Sequence, residues 1–185
     1  MMIKDAERGS QMNFTIKEAV EILERTPKIL DSFLSGLSSE WLHCNEGEGT
    51  WNAAEVLDHL IEGEKNNWIT RLNFILKEGP TKPFPPFHRY SHLSGLEEKP
   101  IQEKLLEFRN MRKKNIAKLK SLIDPELHLE LTGSHPALGI VRIRELISTW
   151  AVHDLTHISQ IARVMANRYR SDVGPWKEYL GILKR

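Results

Sequence analysis

Cysteine is nearly absent from this chain of 185 residues: Cys44 stands alone. That excludes an internal disulfide and a structural zinc site built on paired thiolates, and no obvious charged partner adjoins Cys44, which reads as an ordinary small loop residue. Long apolar runs are missing too. None approaches the roughly 18–20 residues that cross a bilayer, and Met1 to Arg8 lacks a signal peptide's apolar segment, so the expected compartment is the cytoplasm, with no membrane partner. Net charge is equally scarce, since 26 Lys and Arg against 25 Asp and Glu leave +1. No global field draws such a chain to nucleic acid. The basic run Arg109, Arg112, Lys113, Lys114, Lys118 and Lys120 is read as the solvated face of a helix. No internal repeat and no strand series is visible.

What the chain does have is helical rhythm. With 40% hydrophobic residues it can build one domain with a substantial core. Residues 1–13 are polar and aperiodic and read as a loose tail, leaving 14–185 as the folded domain. Thr15-Ile16-Lys17-Glu18 has the form of a capping box, and Ala19, Leu23, Leu30, Phe33 and Leu34 continue an apolar face toward Leu37, with a kink or break expected near Thr26 because Pro27 cannot donate its amide. Asn52 and Glu55 offer a second cap for a helix running to about Lys77, stopped by Gly79-Pro80. A third helix carries Ile101, Leu105, Phe108, Met111, Leu119 and Leu122 from Pro100 to Asp124-Pro125. After turn formers at Thr132 to Gly139, and a brief extended piece at Ile140-Val141, a fourth starts near Arg142; Trp176 to Leu183 forms a short last helix. The class is all-α, a four-helix bundle with a C-terminal cap.

Three histidines interrupt the apolar pattern. Ile143, Leu146, Trp150, His153, His157, Ile161 and Val164 step by three and four, so two imidazoles occupy positions where leucines belong. At i and i+4 they lie about 40° apart around the helix and project from one face. An unsatisfied polar group buried there costs roughly 1–3 kcal/mol, which calls for a shared partner: a metal ion, a carboxylate or ordered water. His59, alongside Val56, Leu60 and Gly63, also looks inward. Spacing alone proves little, because eight histidines give about 0.3 such pairs by chance and the chain holds two. The other, His88 and His92, falls in the proline-rich stretch Gly79 to His88 and is read as a loop coincidence. No Gly or Pro occurs from Val141 through Val173, so the helix under His153 and His157 is continuous.

Two segments resemble a known family. Gly49-Thr50-Trp51-Asn52-Ala53-Ala54-Glu55-Val56-Leu57-Asp58-His59-Leu60, and His135-Pro136-Ala137-Leu138-Gly139 through Trp150-Ala151-Val152-His153-Asp154-Leu155-Thr156-His157-Ile158-Ser159-Gln160-Ile161, are similar to the DinB-like superfamily, which includes YfiT-type metal-dependent hydrolases. The resemblance runs from about residue 14 to the end. It implies an up-down-down-up four-helix bundle holding a divalent metal on His59, His153 and His157. The family is chemically mixed, with hydrolases, thiol-dependent transferases and isomerases, and members without assigned activity.

Three neutral imidazoles at about 2.0–2.1 Å from zinc leave room for water, as in catalytic sites. Zinc is the expected ion, with nickel, iron and manganese compatible with the same nitrogen donors. The first reading is hydrolysis of a small molecule. The second is transfer of a low-molecular-weight thiol to an electrophile, and the third a non-enzymatic metal-binding module closed by a fourth ligand from the loop histidines. Glu55, Glu62 and Asp154 are candidates to orient an imidazole or serve as base, with solvated helix residues or caps as the bland alternative; no catalytic acid or base is assigned. Gln160 points into the site or bonds outside it, and Trp51 and Trp150 are core or pocket wall. A homodimer is compatible with the apolar helix faces that bundles often expose.

Overall fold

A computed structural model gives the fold over residues 13–87 and 99–184, so the His88/His92 pair lies outside the described residues. Helix α1 spans Ile16–Leu34, capped where the Thr15 hydroxyl accepts from the Glu18 amide at 3.1 Å. The helix runs on through Pro27, without the break that was one of the two outcomes expected near Thr26. Proline leaves the carbonyl four residues back without its helical donor, and here that carbonyl, on Leu23, accepts from Arg112 Nη1 at 3.0 Å instead. A neighbouring helix thus supplies the hydrogen bond that α1 cannot make for itself.

After one turn, α2 at Ser39–Leu42, come α3 over Ala53–Asn66 and α4 over Trp68–Glu78. The capping box at the head of α3 is complete: Asn52 Oδ1 accepts from the Glu55 amide at 2.9 Å, and Glu55 Oε2 from the Asn52 amide at 2.8 Å. The single helix expected to about Lys77 is divided at Asn67, where φ −111° and ψ −73° are well away from ideal helical angles. Gly63 accommodates the division, since a Cβ there would stand 3.2 Å from the Trp68 indole nitrogen. Gly79, at φ +59°, ends α4 in a backbone region that favours glycine.

Helix α5 covers Ile101–Leu122 and α6 Pro125–His128. A hairpin follows that the sequence reading reduced to a brief extended piece: β1, Thr132–His135, pairs antiparallel with β2, Gly139–Arg142, with Thr132 opposite Arg142 and His135 opposite Gly139. Phe84 fastens to it, its amide donating to the Ser134 carbonyl at 2.8 Å. Gly133 is required at this seam, because a Cβ would sit 2.7 Å from Ile75 and 2.8 Å from Phe84. Helix α7, Ile143–Asn167, is the long continuous helix expected. The C-terminal cap is built of 3-10 turns, Gly174–Tyr179 and Gly181–Leu183, rather than an α-helix; only Leu183 of this segment is buried.

Helices α1, α3 with α4, α5 and α7 form the four rods of the bundle. Helix α1 packs mainly on α5 and α7, and α3 on the same two, so the first two rods face each other across the diagonal. Two apolar clusters fill the interior, one around Leu23, Trp68, Leu119 and Trp150, the other around Leu30, Leu57, Phe108 and Ile161. Between them in sequence on each of three rods lies a buried polar side chain: Glu64, Arg112 and Asp154.

Candidate metal centre

His59 is set by the capped first half of α3 and His153 and His157 by α7, and the three rings meet where these rods adjoin. Nε2 of His153 lies 3.2 Å from Nε2 of His59 and 3.1 Å from Nε2 of His157. Ring centroids are separated by 5.3, 4.8 and 4.3 Å for the pairs 59/153, 59/157 and 153/157. His59 and His157 are buried and His153 is partly so. The expected convergence is therefore present, from two helices and across 94 residues of chain.

The donor set fits a cation. Two nitrogens at about 2.0–2.1 Å from one ion and at the tetrahedral angle stand about 3.3–3.4 Å apart, so the two spacings measured from His153 need little adjustment. The ring of His157 is already oriented for it. Its Nδ1 lies 2.8 Å from Gln160 Oε1, and since an amide oxygen only accepts, the proton resides on Nδ1 and the Nε2 lone pair faces the other two imidazoles. Gln160 thus bonds a candidate ligand, and it is not among the residues that line the cavity.

The carboxylate candidates go elsewhere. Glu55 closes the α3 cap, and Glu62 accepts from Asn66 Nδ2 at 2.6 Å. Asp154 is neither solvated nor turned to the histidines. It is fully buried and takes a two-pronged ion pair from Arg112, with Nη2 donating to Oδ1 at 2.9 Å and Nη1 to Oδ2. Arg112, expected on a solvated basic face, is 1% exposed. The expectation fails because the face of α5 that carries it turns toward two carboxylates: Glu64 Oε1 also accepts from Arg112 Nη2 at 2.9 Å, from Trp150 Nε1 at 2.9 Å, and its Oε2 from Asn115 Nδ2 at 3.0 Å. Burial pushes the Glu64 carboxyl above its ordinary value, partly offset by Arg112. Burial opposes the Arg112 charge as well, yet Asp154 and Glu64 together hold the guanidinium above its ordinary range. These groups form a scaffold directly beneath the histidines, since Asp154 follows His153 and Trp150 precedes it by one turn.

The histidines open on a cavity of about 680 Å³. Trp51 and Trp68 wall it, 4.9 Å from the His59 ring and 5.1 Å from the His153 ring. Trp51 is pocket wall as expected, whereas Trp150 lies in the core, stacked at 5.6 Å on Trp68. Asn67, Arg71, His135 and Thr149 supply further polar lining, and no Asp or Glu is among the described residues that line the space. A second cleft, about 470 Å³, is lined by residues of α1 and α5 and by none of the three histidines. Cys44 lies apart, its thiol donating to the Trp41 and Val164 carbonyls at 3.3 and 3.7 Å; burial raises its pKa above the ordinary thiol value.

Comparison with known proteins places this arrangement. Residues 22–161 match the family model described as the DinB superfamily. The chain is 26% identical over 148 residues to a protein of Geobacillus kaustophilus named "Putative metal-dependent hydrolase GK0616", covering 80% of this chain and 82% of that one. It is 26% identical over 154 residues to "Putative metal-dependent hydrolase OB0782" of Oceanobacillus iheyensis, covering 83% and 87%. Among solved structures, YfiT from Bacillus subtilis, described as a probable metal-dependent hydrolase with an unusual four-helix bundle topology, superposes with a TM-score of 0.71 at 20% identity over 87% of this chain and 91% of that one.

Proposed function

This chain belongs to the DinB superfamily, and from that membership and its own site we propose that it is a metal-dependent hydrolase of a small molecule, with His59, His153 and His157 as ligands to a divalent ion. The observation that carries the reading is the meeting of three imidazoles, with Nε2 of His153 3.2 Å from that of His59 and 3.1 Å from that of His157, at the edge of a cavity large enough for a substrate. The names of the related proteins support it.

A divalent ion held there supplies an acidified water, with a pKa near 7 for zinc, and a Lewis acid for a carbonyl. The chain's own residues do the rest. Gln160 keeps the His157 proton on Nδ1, so the ring presents a lone pair at every turnover. Trp51 and Trp68 shield the ligand trio from bulk water, which strengthens the electrostatic interactions inside. His135, in the cavity lining, offers a hydrogen-bond donor rather than an acceptor. Its Nδ1 accepts from the Ala137 and Leu138 amides at 3.1 and 3.2 Å, so in the neutral ring the hydrogen sits on Nε2. Zinc is the ion we favour, and nickel, iron and manganese are compatible with the same nitrogen donors.

One observation favours a second reading. No carboxylate lines the described cavity, and transfer of a low-molecular-weight thiol, whose thiolate the ion itself would hold, has less need of a carboxylate base than hydrolysis. The two readings separate in one experiment. The zinc-loaded protein is assayed against p-nitrophenyl esters and anilides, alone and with a small thiol plus an alkyl-halide electrophile. Turnover of the ester or anilide without thiol, lost in His153→Ala, supports hydrolysis; turnover only of the thiol–halide pair selects transfer.

A further inference from the structure

Arg71 stands at the cavity wall as a cation with no carboxylate partner among the described residues. Its guanidinium carbon lies 5.2 Å from the centroid of Phe84, whose ring is fastened to the hairpin. No Asp or Glu pairs with it among the described residues, and burial holds its pKa below the ordinary guanidinium value. Arg71 is half-buried, so its charge is partly desolvated, a cost that an anion arriving from outside would offset. Two further groups share the wall. His135, pulled below its ordinary value by burial and by the Arg71 charge, stays neutral with its proton on Nε2. Asn67, one turn before Arg71 on the same rod, is 7% exposed, and its Oδ1 has no hydrogen-bond partner among the described residues.

We propose that Arg71 and His135 form a subsite for a carboxylate of the substrate, with Asn67 Oδ1 accepting from an N–H or O–H that adjoins this carboxylate. The guanidinium fork matches a carboxylate's two oxygens, and the His135 N–H adds one neutral donor. One cation with one neutral donor balances a single negative charge, which favours a carboxylate over a phosphate dianion. The unsatisfied Asn67 oxygen selects a donor, so a simple fatty acid is a poorer match than an N-acylamino acid or a hydroxy acid. The same cavity holds the histidine trio, so a substrate anchored at Arg71 presents its other end to the ion. In that catalytic sense the subsite rests on the hydrolase reading; as a binding site it stands on Arg71, His135 and Asn67 alone.

The probes are N-acetylglycine and its neutral analogue N-acetylglycinamide, titrated into the full-length ¹⁵N-labelled protein as purified, with metal content measured on each sample. Arginine Nε–H and tryptophan indole resonances report binding. N-acetylglycine should bind at least tenfold more tightly than the amide, Arg71→Met should remove that preference, and Asn67→Ala should weaken both probes. Arg71→Lys, which keeps the charge but not the fork, should fall between and serves if Arg71→Met does not fold. Equal binding of acid and amide, equal binding of the acid to wild type and Arg71→Met, or no saturable binding of the acid would each overturn the subsite. The two readings fail separately: metal-free wild type that still prefers the acid through Arg71 removes the metal reading only, and metal-loaded protein with an acid affinity indifferent to Arg71 removes the subsite only.

Discussion

Gln160 Oε1 accepts a hydrogen bond from Nδ1 of His157 at 2.8 Å, one turn along the same helix. The contact fixes the tautomer and the ring plane of a proposed ligand without touching the ion. Removal of such a partner characteristically costs 10- to 100-fold in metal affinity. Gln160→Ala should therefore bind zinc about 10- to 100-fold more weakly than wild type in a chelator competition, and Gln160→Glu, which keeps an acceptor, should retain most of the affinity. Equal affinity of the alanine variant would separate Gln160 from the site.

Arg112 joins three rods, reaching the Leu23 carbonyl on α1, Glu64 on α3 and Asp154 on α7. Taking it away strands two buried carboxylates and reopens the carbonyl that Pro27 leaves bare. Breaking a buried ion pair from one side costs about 3–5 kcal/mol. Arg112→Met should lower the urea-unfolding free energy by that order. A loss under 1 kcal/mol would show that water or rearrangement replaces the guanidinium.

The raised Glu64 value carries a pH signature of definite sign. Burial makes the native state hold this proton to higher pH than the unfolded chain, where glutamate titrates near 4.5. Its contribution to stability is therefore fully present below pH 4.5 and lost as the pH rises through the native value. Each pH unit by which the native value exceeds the unfolded one corresponds to about 1.4 kcal/mol. Urea midpoints measured from pH 4.5 upward should fall more steeply for wild type than for Glu64→Gln, which does not titrate. Parallel curves would contradict the assignment.

Much of this was legible in the residues. The Asn52/Glu55 box, the uninterrupted α7 and the imidazoles in its apolar stripe are local patterns, and local patterns survive folding. The polar scaffold was not read, although Glu64 continues Leu57, Leu60 and Ile61 by helical steps, Arg112 continues Leu105 and Phe108, and Asp154 continues Ile147 and Trp150. Each charge standing in an apolar stripe was the available signal. Which charge meets which is a tertiary matter, and Arg112 lies 48 residues from Glu64 and 42 from Asp154. The hairpin was understated for the same reason: Gly133 reads as a turn former until Ile75 and Phe84 crowd its α-carbon. That α1 continues past Pro27 is not legible locally, because the replacement donor comes from another helix.

Cys44 should be inert. Its thiol is directed at two backbone carbonyls and burial disfavours the thiolate, the reactive form. Alkylation by iodoacetamide at pH 8 should run more slowly than in the urea-unfolded chain, because burial lowers the thiolate fraction. Cys44→Ser should keep the metal affinity of wild type. Fast alkylation that also releases metal would place the thiol at the site.

The central claim is that one imidazole from α3 and two from α7 grip a single cation. Elemental analysis of the protein purified without added metal, beside His59→Ala prepared identically and shown by circular dichroism to be folded, tests it most directly. The account predicts close to one equivalent of divalent metal per chain in wild type and a small fraction of that in His59→Ala. Equal metal content in the two proteins would contradict it.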